Sequence, residues 1–210
     1  MNKEFREENN PQAVNKVGEG VQDGTSPGDK STERRLVESA QNGDQKAFGQ
    51  LIRMHQKKLF RYIYGLTGSF DQTEDIVQET FIKAWKALER FNPEYAFYPW
   101  LAVIARNSAY NQISREEKKE SLEKIQEKGF DPVSQELGPL EKLLDTEGKK
   151  RFYRALKALP VKFRSVFVLR HFENKSYEEI SSFLNVPPGT VDSRLYRARQ
   201  MLMEALKDLL

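Results

Sequence analysis

The sequence predicts an all-α protein of two helical domains joined by a charged linker, the second domain being a helix-turn-helix. Three observations support this prediction. Apolar residues recur at spacings of three and four along most of the chain, and no segment alternates strictly as a half-buried strand does. Gly and Pro interrupt the pattern between residues 117 and 139, as in a linker. Near the C-terminus, a short capped helix, a tight turn and a second helix follow one another.

The composition excludes several classes of protein. The chain has 210 residues, 34 Lys and Arg against 31 Asp and Glu, and no cysteine, so a disulfide framework and a thiolate zinc site are both excluded. Its two histidines, His55 and His171, are too far apart for a recognisable metal-ligand motif, and no cofactor is expected. The most apolar run, residues 96–105, is shorter than the roughly 20 residues that a membrane span needs. Since the N-terminus also lacks a signal-peptide pattern, we expect a cytoplasmic protein without membrane insertion.

The net charge of +3 is distributed unevenly, and its segments suggest the domains. Residues 1–30 have a net charge of −2 and no apolar period, so we predict a disordered tail. Residues 31–116 have a net charge of +2 and form the predicted N-terminal domain. Residues 117–139 return to −2 as the linker, and residues 140–210 carry +5. The C-terminal domain is therefore the basic part of the chain.

Capping residues predict where the helices of the N-terminal domain begin. Thr32 can cap a helix that runs to about Gln41, and Asp44 can cap a second that runs to about Tyr64. Asp71, with Glu74 three residues later, can cap a third helix that runs to about Phe91. A fourth helix should follow from Trp100, with Pro99 in its first turn.

The third helix has an unusual polar face. Its core face carries Val77, Thr80, Phe81, Ala84, Trp85 and Leu88. The opposite face aligns Asp75, Gln78, Glu79, Ile82 and Lys86. Single exposed apolar residues are common, so a solvated face explains this pattern, but an apolar residue among carboxylates is also typical of a partner-binding patch. An acid/base pair of Asp75 and Glu79 has little support, because no nucleophile, metal set or phosphate loop accompanies them.

An aromatic segment precedes the fourth helix. It places Phe91, Tyr95, Phe97, Tyr98 and Trp100 within ten residues, and Arg106, Asn107, Asn111, Gln112 and Arg115 follow. Rings stack on bases, amides read unpaired base edges and arginines bind phosphates, so the combination is typical of single-strand binding. Alternatively, the aromatics complete a small helical core, especially Phe91, Phe97 and Trp100. Tyr95 and Tyr98 are the better candidates for exposure.

The helix-turn-helix is the strongest motif in the chain. Ser176 and Glu179 predict a capping box on a short helix from Tyr177 to Leu184. After the turn, Thr190 can cap a second helix, which buries Val191, Leu195, Ala198, Leu202 and Ala205. The face turned away carries Ser193, Tyr196, Arg197 and Gln200, with Arg194 and Arg199 on its flanks. Polar and cationic side chains at these positions suit base edges and phosphates, whereas the simpler alternative is a solvated basic face.

Three stretches of the chain form a recognisable combination: DIVQETFIKAW at residues 75–85, FYPWLAVIARN at residues 97–107, and SYEEI at residues 176–180 with PGTVDSRLYRAR at residues 188–199. Together they resemble the extracytoplasmic-function (ECF) class of bacterial RNA polymerase sigma factors. They occur in the family's order and spacing, and the resemblance extends from about Thr32 to the C-terminus. It implies a non-enzymatic transcription initiation factor that binds polymerase core and reads promoter DNA.

The resemblance also implies roles for the three surfaces. Asp75, Gln78, Glu79, Ile82 and Lys86 correspond to the face that docks on the clamp helices of the largest polymerase subunit. The minus-ten reader, which melts the duplex and captures a flipped base, corresponds to Tyr95, Tyr98, Arg106, Asn107, Asn111 and Arg115. The minus-thirty-five reader corresponds to Thr190, Ser193, Arg194, Tyr196, Arg197 and Gln200. Contacts to the flap of the second-largest subunit, to duplex and single-stranded promoter DNA and to an anti-sigma factor are implied as well.

Two residues depart from the family pattern. Asp192 stands where the family often has a basic residue, and it would repel phosphate or accept from a cytosine amino group. Asn111 stands where the family frequently has Asp.

Two other classes of protein are alternatives to this interpretation. A dimeric helix-turn-helix regulator would not need the aromatic loop or the Ile82 face. A helical adaptor without nucleic-acid function would leave the outward Arg197 and Gln200 unexplained.

Overall fold

The computed structural model describes residues 27–120 and 146–207, and the regular secondary structure of this part of the chain is entirely helical, without strands. It confirms the predicted all-α class. The helices are α1 Pro27–Gln41, α2 Gln45–Thr67, α3 Phe70–Ala87, α4 Phe97–Glu120, α5 Thr146–Ala158, α6 Val161–His171, α7 Tyr177–Leu184 and α8 Pro188–Ala205. A single turn of 3₁₀-helix, Leu88–Arg90, follows α3. None of the described helices is long and apolar enough to cross a bilayer.

Helix α2 is the central element of the N-terminal part. The Asp44 carboxylate accepts from the backbone N–H groups of Lys46 and Ala47, so this predicted cap is confirmed. The helix ends at Gly68, whose left-handed backbone (φ 63°) lets its N–H donate to the Tyr64 carbonyl. Helices α1, α3 and α4 pack around α2. Their shared core includes Leu51, Leu59, Ile63, Ile76 and Leu101, none more than 1% exposed.

Three predicted helix starts in this part are wrong by a few residues. Thr32 lies inside α1, which begins at Pro27 within the segment predicted as a tail. Ser69 occupies the N-cap position of α3, and Asp71 lies in the first turn, where a carboxylate still interacts favourably with the helix dipole. Helix α4 begins at Phe97, so Pro99 does fall in its first turn. Residues 1–26 and 121–145, most of the predicted tail and linker, lie outside the described residues, and the domain limits stay predictions.

The C-terminal part comprises α5 to α8. The predicted capping box is confirmed, with Ser176 and Glu179 each accepting from the other's backbone N–H. Asn185 ends α7 in the left-handed conformation (φ 53°). Helix α8 begins at Pro188, so Thr190 lies in its first turn and is not the N-cap. Helix α5 was not predicted.

The two parts pack directly against each other. Helix α6 lies on α2, where Gly65 makes a close approach possible: a Cβ atom there would lie 2.8 Å from Val168 Cγ1 and 2.9 Å from the Phe172 ring. Arg164, on α6 and 4% exposed, donates to the carbonyls of Leu66 on α2 and of Leu159 in its own part. The C-terminal part therefore covers one side of α2.

Candidate nucleic-acid interface

The polar face of α3 is fully open to solvent. Asp75, Gln78, Glu79, Ile82 and Lys86 are all exposed, and Ile82 is 56% exposed. The opposite face is buried, with Thr80 and Ala84 at 0%. Glu79 pairs with Lys83 at 2.9 Å, an exposed pair that contributes little to stability. Folding leaves an apolar side chain uncovered in the middle of a charged face.

The aromatic segment divides into a core cluster and two tyrosines. Phe91, Phe97 and Trp100 are buried, with ring centroids 4.8 to 5.8 Å apart, so they complete the core. Tyr95 is half-buried against that core. Tyr98 is only 2% exposed, so its predicted exposure is wrong. The C-terminal part covers it: the Tyr98 hydroxyl donates to Glu173 Oε2 at 2.8 Å.

The remaining minus-ten candidates on α4 lie in different environments. Arg106 is 4% exposed and donates from Nη1 to the Phe183 carbonyl on α7. Like Tyr98, it is therefore covered by the C-terminal part and not open to DNA in this structure. Asn107 is half-buried, with Oδ1 3.4 Å from Arg106 Nε. Asn111 and Arg115 are exposed. One side of α4 is therefore free for a ligand, and the other is occupied by the C-terminal part.

Helix α8 presents its predicted outer face. Ser193, Tyr196, Arg197 and Gln200 are exposed, Tyr196 by 64%, and Thr190 and Arg194 are half-buried. Asp192 and Arg199 are exposed beside them. Val191, Leu195 and Ala198 are 0% exposed and hold the helix against the domain. Ala205, predicted to be buried, is exposed in the last turn of α8, where the next residue, Leu206, packs against the core instead.

The contact between the two parts contains charged groups that the sequence did not single out. Glu173 follows α6, and its side chain is 2% exposed. Burial raises the pKa of its carboxyl, while Lys58, the Tyr98 hydroxyl, Arg61 and Lys175 act to lower it. One signal of a covered α4 was present in the sequence: residues 101–105 are apolar all round the helix, as expected for a helix buried on more than one side.

No group of three His, Cys, Asp or Glu residues within the described ranges could hold a metal ion. The candidate residues lie on three faces: an exposed apolar-acidic face on α3, amides and arginines on α4, and a polar, basic face on α8. Such faces can bind protein and nucleic acid.

Two family models match the chain. Residues 51–119 match sigma-70 region 2, and residues 149–202 match sigma-70 region 4. The ECF RNA polymerase sigma-E factor of Escherichia coli (strain K12) is 35% identical over 185 residues, which cover 85% of this chain and 96% of the relative. The protein of the same name from Haemophilus influenzae is 34% identical over 191 residues, covering 85% and 97%.

Solved structures show the same architecture. The sigma factor RpoE in complex with the anti-sigma factor NepR, from Bartonella quintana, is 28% identical with a TM-score of 0.62, covering 77% of this chain and 98% of that one. CnrH in complex with the cytosolic domain of CnrY is 26% identical with a TM-score of 0.59, covering 84% and 98%. With both regions in order and relatives matched over nearly their whole length, the chain belongs to the ECF class of RNA polymerase sigma factors, which recognise promoters and direct transcription initiation.

Proposed function

We propose that this sigma factor uses three separate faces, one for each task of initiation. The α3 face of Asp75, Gln78, Glu79, Ile82 and Lys86 docks on the clamp helices of the largest polymerase subunit. The loop before α4 and α4 itself read and open the minus-ten element. The outer face of α8 reads the minus-thirty-five element, and the C-terminal domain also contacts the flap of the second-largest subunit.

The exposure of Ile82 is the observation that supports the docking assignment. Folding leaves 56% of this side chain in water, although its helix has a well-formed buried face on the other side. Covering an isoleucine removes apolar surface from water and contributes about 1.5–3 kcal/mol when complete. The carboxylates and Lys86 around it would then form the polar rim that surrounds such contacts.

The DNA-reading faces divide the work between register and melting. Arg197 and Gln200 on α8 can contact base edges and phosphates of the duplex, which sets the position of the protein. Near α4, each base that stacks on an aromatic ring contributes about 1–3 kcal/mol, which offsets the cost of unpairing. Asn111 and Arg115 are already exposed for this role.

The protein would act as a binding subunit without chemistry of its own, in the cell interior where polymerase works. Its net charge is only +3, so promoter affinity without polymerase should be low. Tight, specific binding of the isolated chain in a gel shift at physiological salt would contradict this. Two solved relatives are complexes with an anti-sigma factor or a cytosolic partner domain, which supports an anti-sigma factor as a further partner here.

Co-purification with RNA polymerase core tests the docking face. Ile82→Glu should weaken binding roughly thirtyfold, because losing a central apolar contact costs about 2 kcal/mol. Met54→Glu is the matched control, since Met54 is also an exposed apolar residue of a helix in the same domain, at 43%. Equal binding by both variants would show that the docking assignment is wrong. Circular dichroism on both variants checks that the helices remain formed.

A further inference from the structure

The side of α4 that the C-terminal domain covers includes a site suited to an anion. Lys58 Nζ lies 4.0 Å from the centroid of the Tyr98 ring, and Arg61 lies one helical turn beyond Lys58 on α2. An aromatic ring beside two cations is the arrangement that binds a nucleic-acid strand, with the ring for a base and the cations for phosphate. In this structure the site contains a carboxylate, that of Glu173.

Glu173 reaches the site from the other domain. Its Oε2 accepts from the Tyr98 hydroxyl at 2.8 Å, and its Oε1 lies 4.0 Å from Arg61 Nε. A small cavity adjoins the carboxylate. Its walls come from both domains: Tyr62, Tyr98, Pro99 and Ala102 on one side, and Leu169, Glu173, Lys175 and Phe183 on the other.

The carboxylate fills this site incompletely. Among the described residues, no group donates a hydrogen bond to Glu173 Oε1, and the buried Arg61 Nε has no acceptor within hydrogen-bond distance. Leaving buried polar groups unsatisfied costs free energy. A phosphate presents more oxygens than a carboxylate and keeps its charge at every physiological pH. It could therefore satisfy Arg61 where Glu173 does not.

The same domain contact covers the rest of this side of α4. Tyr98, Ala102 and Arg106 lie one turn apart along the helix, and Arg106 is held by the Phe183 carbonyl. Asn111 and Arg115 remain exposed. The candidate minus-ten residues are thus divided into an open set and a set that the C-terminal domain occupies.

We propose that Lys58, Arg61 and Tyr98 form a phosphate-binding site for the opened promoter strand, and that Glu173 occupies this site in the closed chain. Interdomain closure and binding of single-stranded DNA then exclude each other. The inference rests on the proposed minus-ten role of α4 and adds two basic residues of α2 to it. The Glu173 carboxylate that competes with phosphate belongs to the same chain. Separation of the two domains therefore exposes the site of Lys58, Arg61 and Tyr98, and no other molecule has to displace Glu173.

Gly65 offers a way to open the chain without touching the site. Any side chain there would collide with Val168 and the Phe172 ring, because a Cβ atom would lie within 2.9 Å of both. Gly65→Val should therefore push α6 off α2, while Lys58, Arg61 and Tyr98 remain intact.

The experiment measures binding of fluorescent oligothymidylate to the full chain by anisotropy, with small-angle scattering to follow domain separation. If the closed form holds about nine tenths of the molecules, the Gly65→Val chain should bind roughly tenfold more tightly than the unaltered chain. Adding Lys58→Gln and Arg61→Gln to Gly65→Val should cancel the gain. It should also lower the slope of log affinity against log salt by about 0.7 for each lost phosphate contact.

Three results would overturn the proposal. The first is a Gly65→Val chain that expands without binding DNA more tightly, and the second is a gain that survives the loss of Lys58 and Arg61. The third is an opened chain that binds polyglutamate and not oligothymidylate, since the site would then be for an acidic polypeptide. Promoter binding by the polymerase holoenzyme separates this proposal from the proposed function. If the holoenzyme still binds its promoter when one of the three results is found, the phosphate-binding site is wrong but the role as a sigma factor stands. Failure of the unaltered holoenzyme to bind any promoter would contradict the proposed function itself.

Discussion

Ser176 and Glu179 satisfy each other's backbone at the start of α7. Ser176 Oγ accepts from the Glu179 N–H at 3.2 Å, and Glu179 Oε2 accepts from the Ser176 N–H at 2.7 Å. Lys175 Nζ contacts the other carboxylate oxygen of Glu179 at 2.7 Å, and both side chains are largely buried. This cluster caps the start of α7, which packs directly against α8.

Ser176→Ala should lower the free energy of unfolding by about 1 kcal/mol, because the helix loses an N-cap acceptor. Urea denaturation followed by circular dichroism measures this. Ser182→Ala is the control, since Ser182 is exposed on the same helix and should change stability by less than about 0.5 kcal/mol. Equal effects of the two substitutions would mean that the capping box contributes nothing to stability.

Arg164→Met should destabilise the fold by at least about 2 kcal/mol. The guanidinium donates to the carbonyls of Leu66, Lys157 and Leu159, and methionine would leave these acceptors without that donor. Thermal or urea unfolding measures the loss. Arg154→Met, at an exposed position of α5, removes the same charge and should be close to neutral. A stable Arg164→Met chain would show that water replaces the guanidinium.

Closure of the two domains should depend on pH through Glu173. Burial raises the pKa of this carboxyl in the closed chain, whereas in an opened chain it should return to its ordinary value near 4.5. The closed form therefore binds more protons, so the free energy of opening falls as pH rises through the raised pKa and is largest below about 4.5. Small-angle scattering across mildly acidic to neutral pH should show a more compact chain at lower pH.

Glu173→Gln is the control for this pH dependence. Lys58, Arg61, Lys175 and the Tyr98 hydroxyl surround the carboxyl and remain in this variant. His171 lies nearby in sequence, and its pKa is lowered by burial and by Arg199 and Arg170. Its titration remains in the Glu173→Gln chain and can be subtracted. A pH response of the same size in that variant would assign the effect to another group.

Arg197→Ala should weaken promoter binding by the holoenzyme and relax discrimination at one base pair of the minus-thirty-five element, by about 1–3 kcal/mol. Arg197 is exposed on the outer face of α8, while Arg199 is exposed on its flank. Arg199→Ala should instead weaken binding to all sequences alike. It should also lower the slope of log affinity against log salt by about one. Competition between promoter variants in a filter-binding assay separates the two. Identical sequence profiles for both variants would contradict the assignment of Arg197 to base reading.

The sequence by itself determined the features that depend on neighbours within one or two helical turns. The helical class, the Asp44 cap, the Ser176 capping box, the exposed face around Ile82 and the outer face of α8 all follow from spacings of three and four residues. The predicted helix starts were less accurate, because several polar residues near the end of a helix can serve as its N-cap. Helix α8, for example, begins at Pro188, and Pro187 occupies the N-cap position that was predicted for Thr190.

Only the tertiary structure decided which side of α4 is covered. Tyr98 and Arg106 each have a polar group at the end of a long side chain. The sequence pattern is equally compatible with exposure of these groups to water and with a contact to the other domain. Their partners, Glu173 and Phe183, lie 75 and 77 residues further along the chain. No local periodicity specifies a pairing over that distance, because it depends on how α6 and α7 pack across α2 and α4. The close approach at Gly65, which has no side chain to hold the helices apart, makes that packing possible.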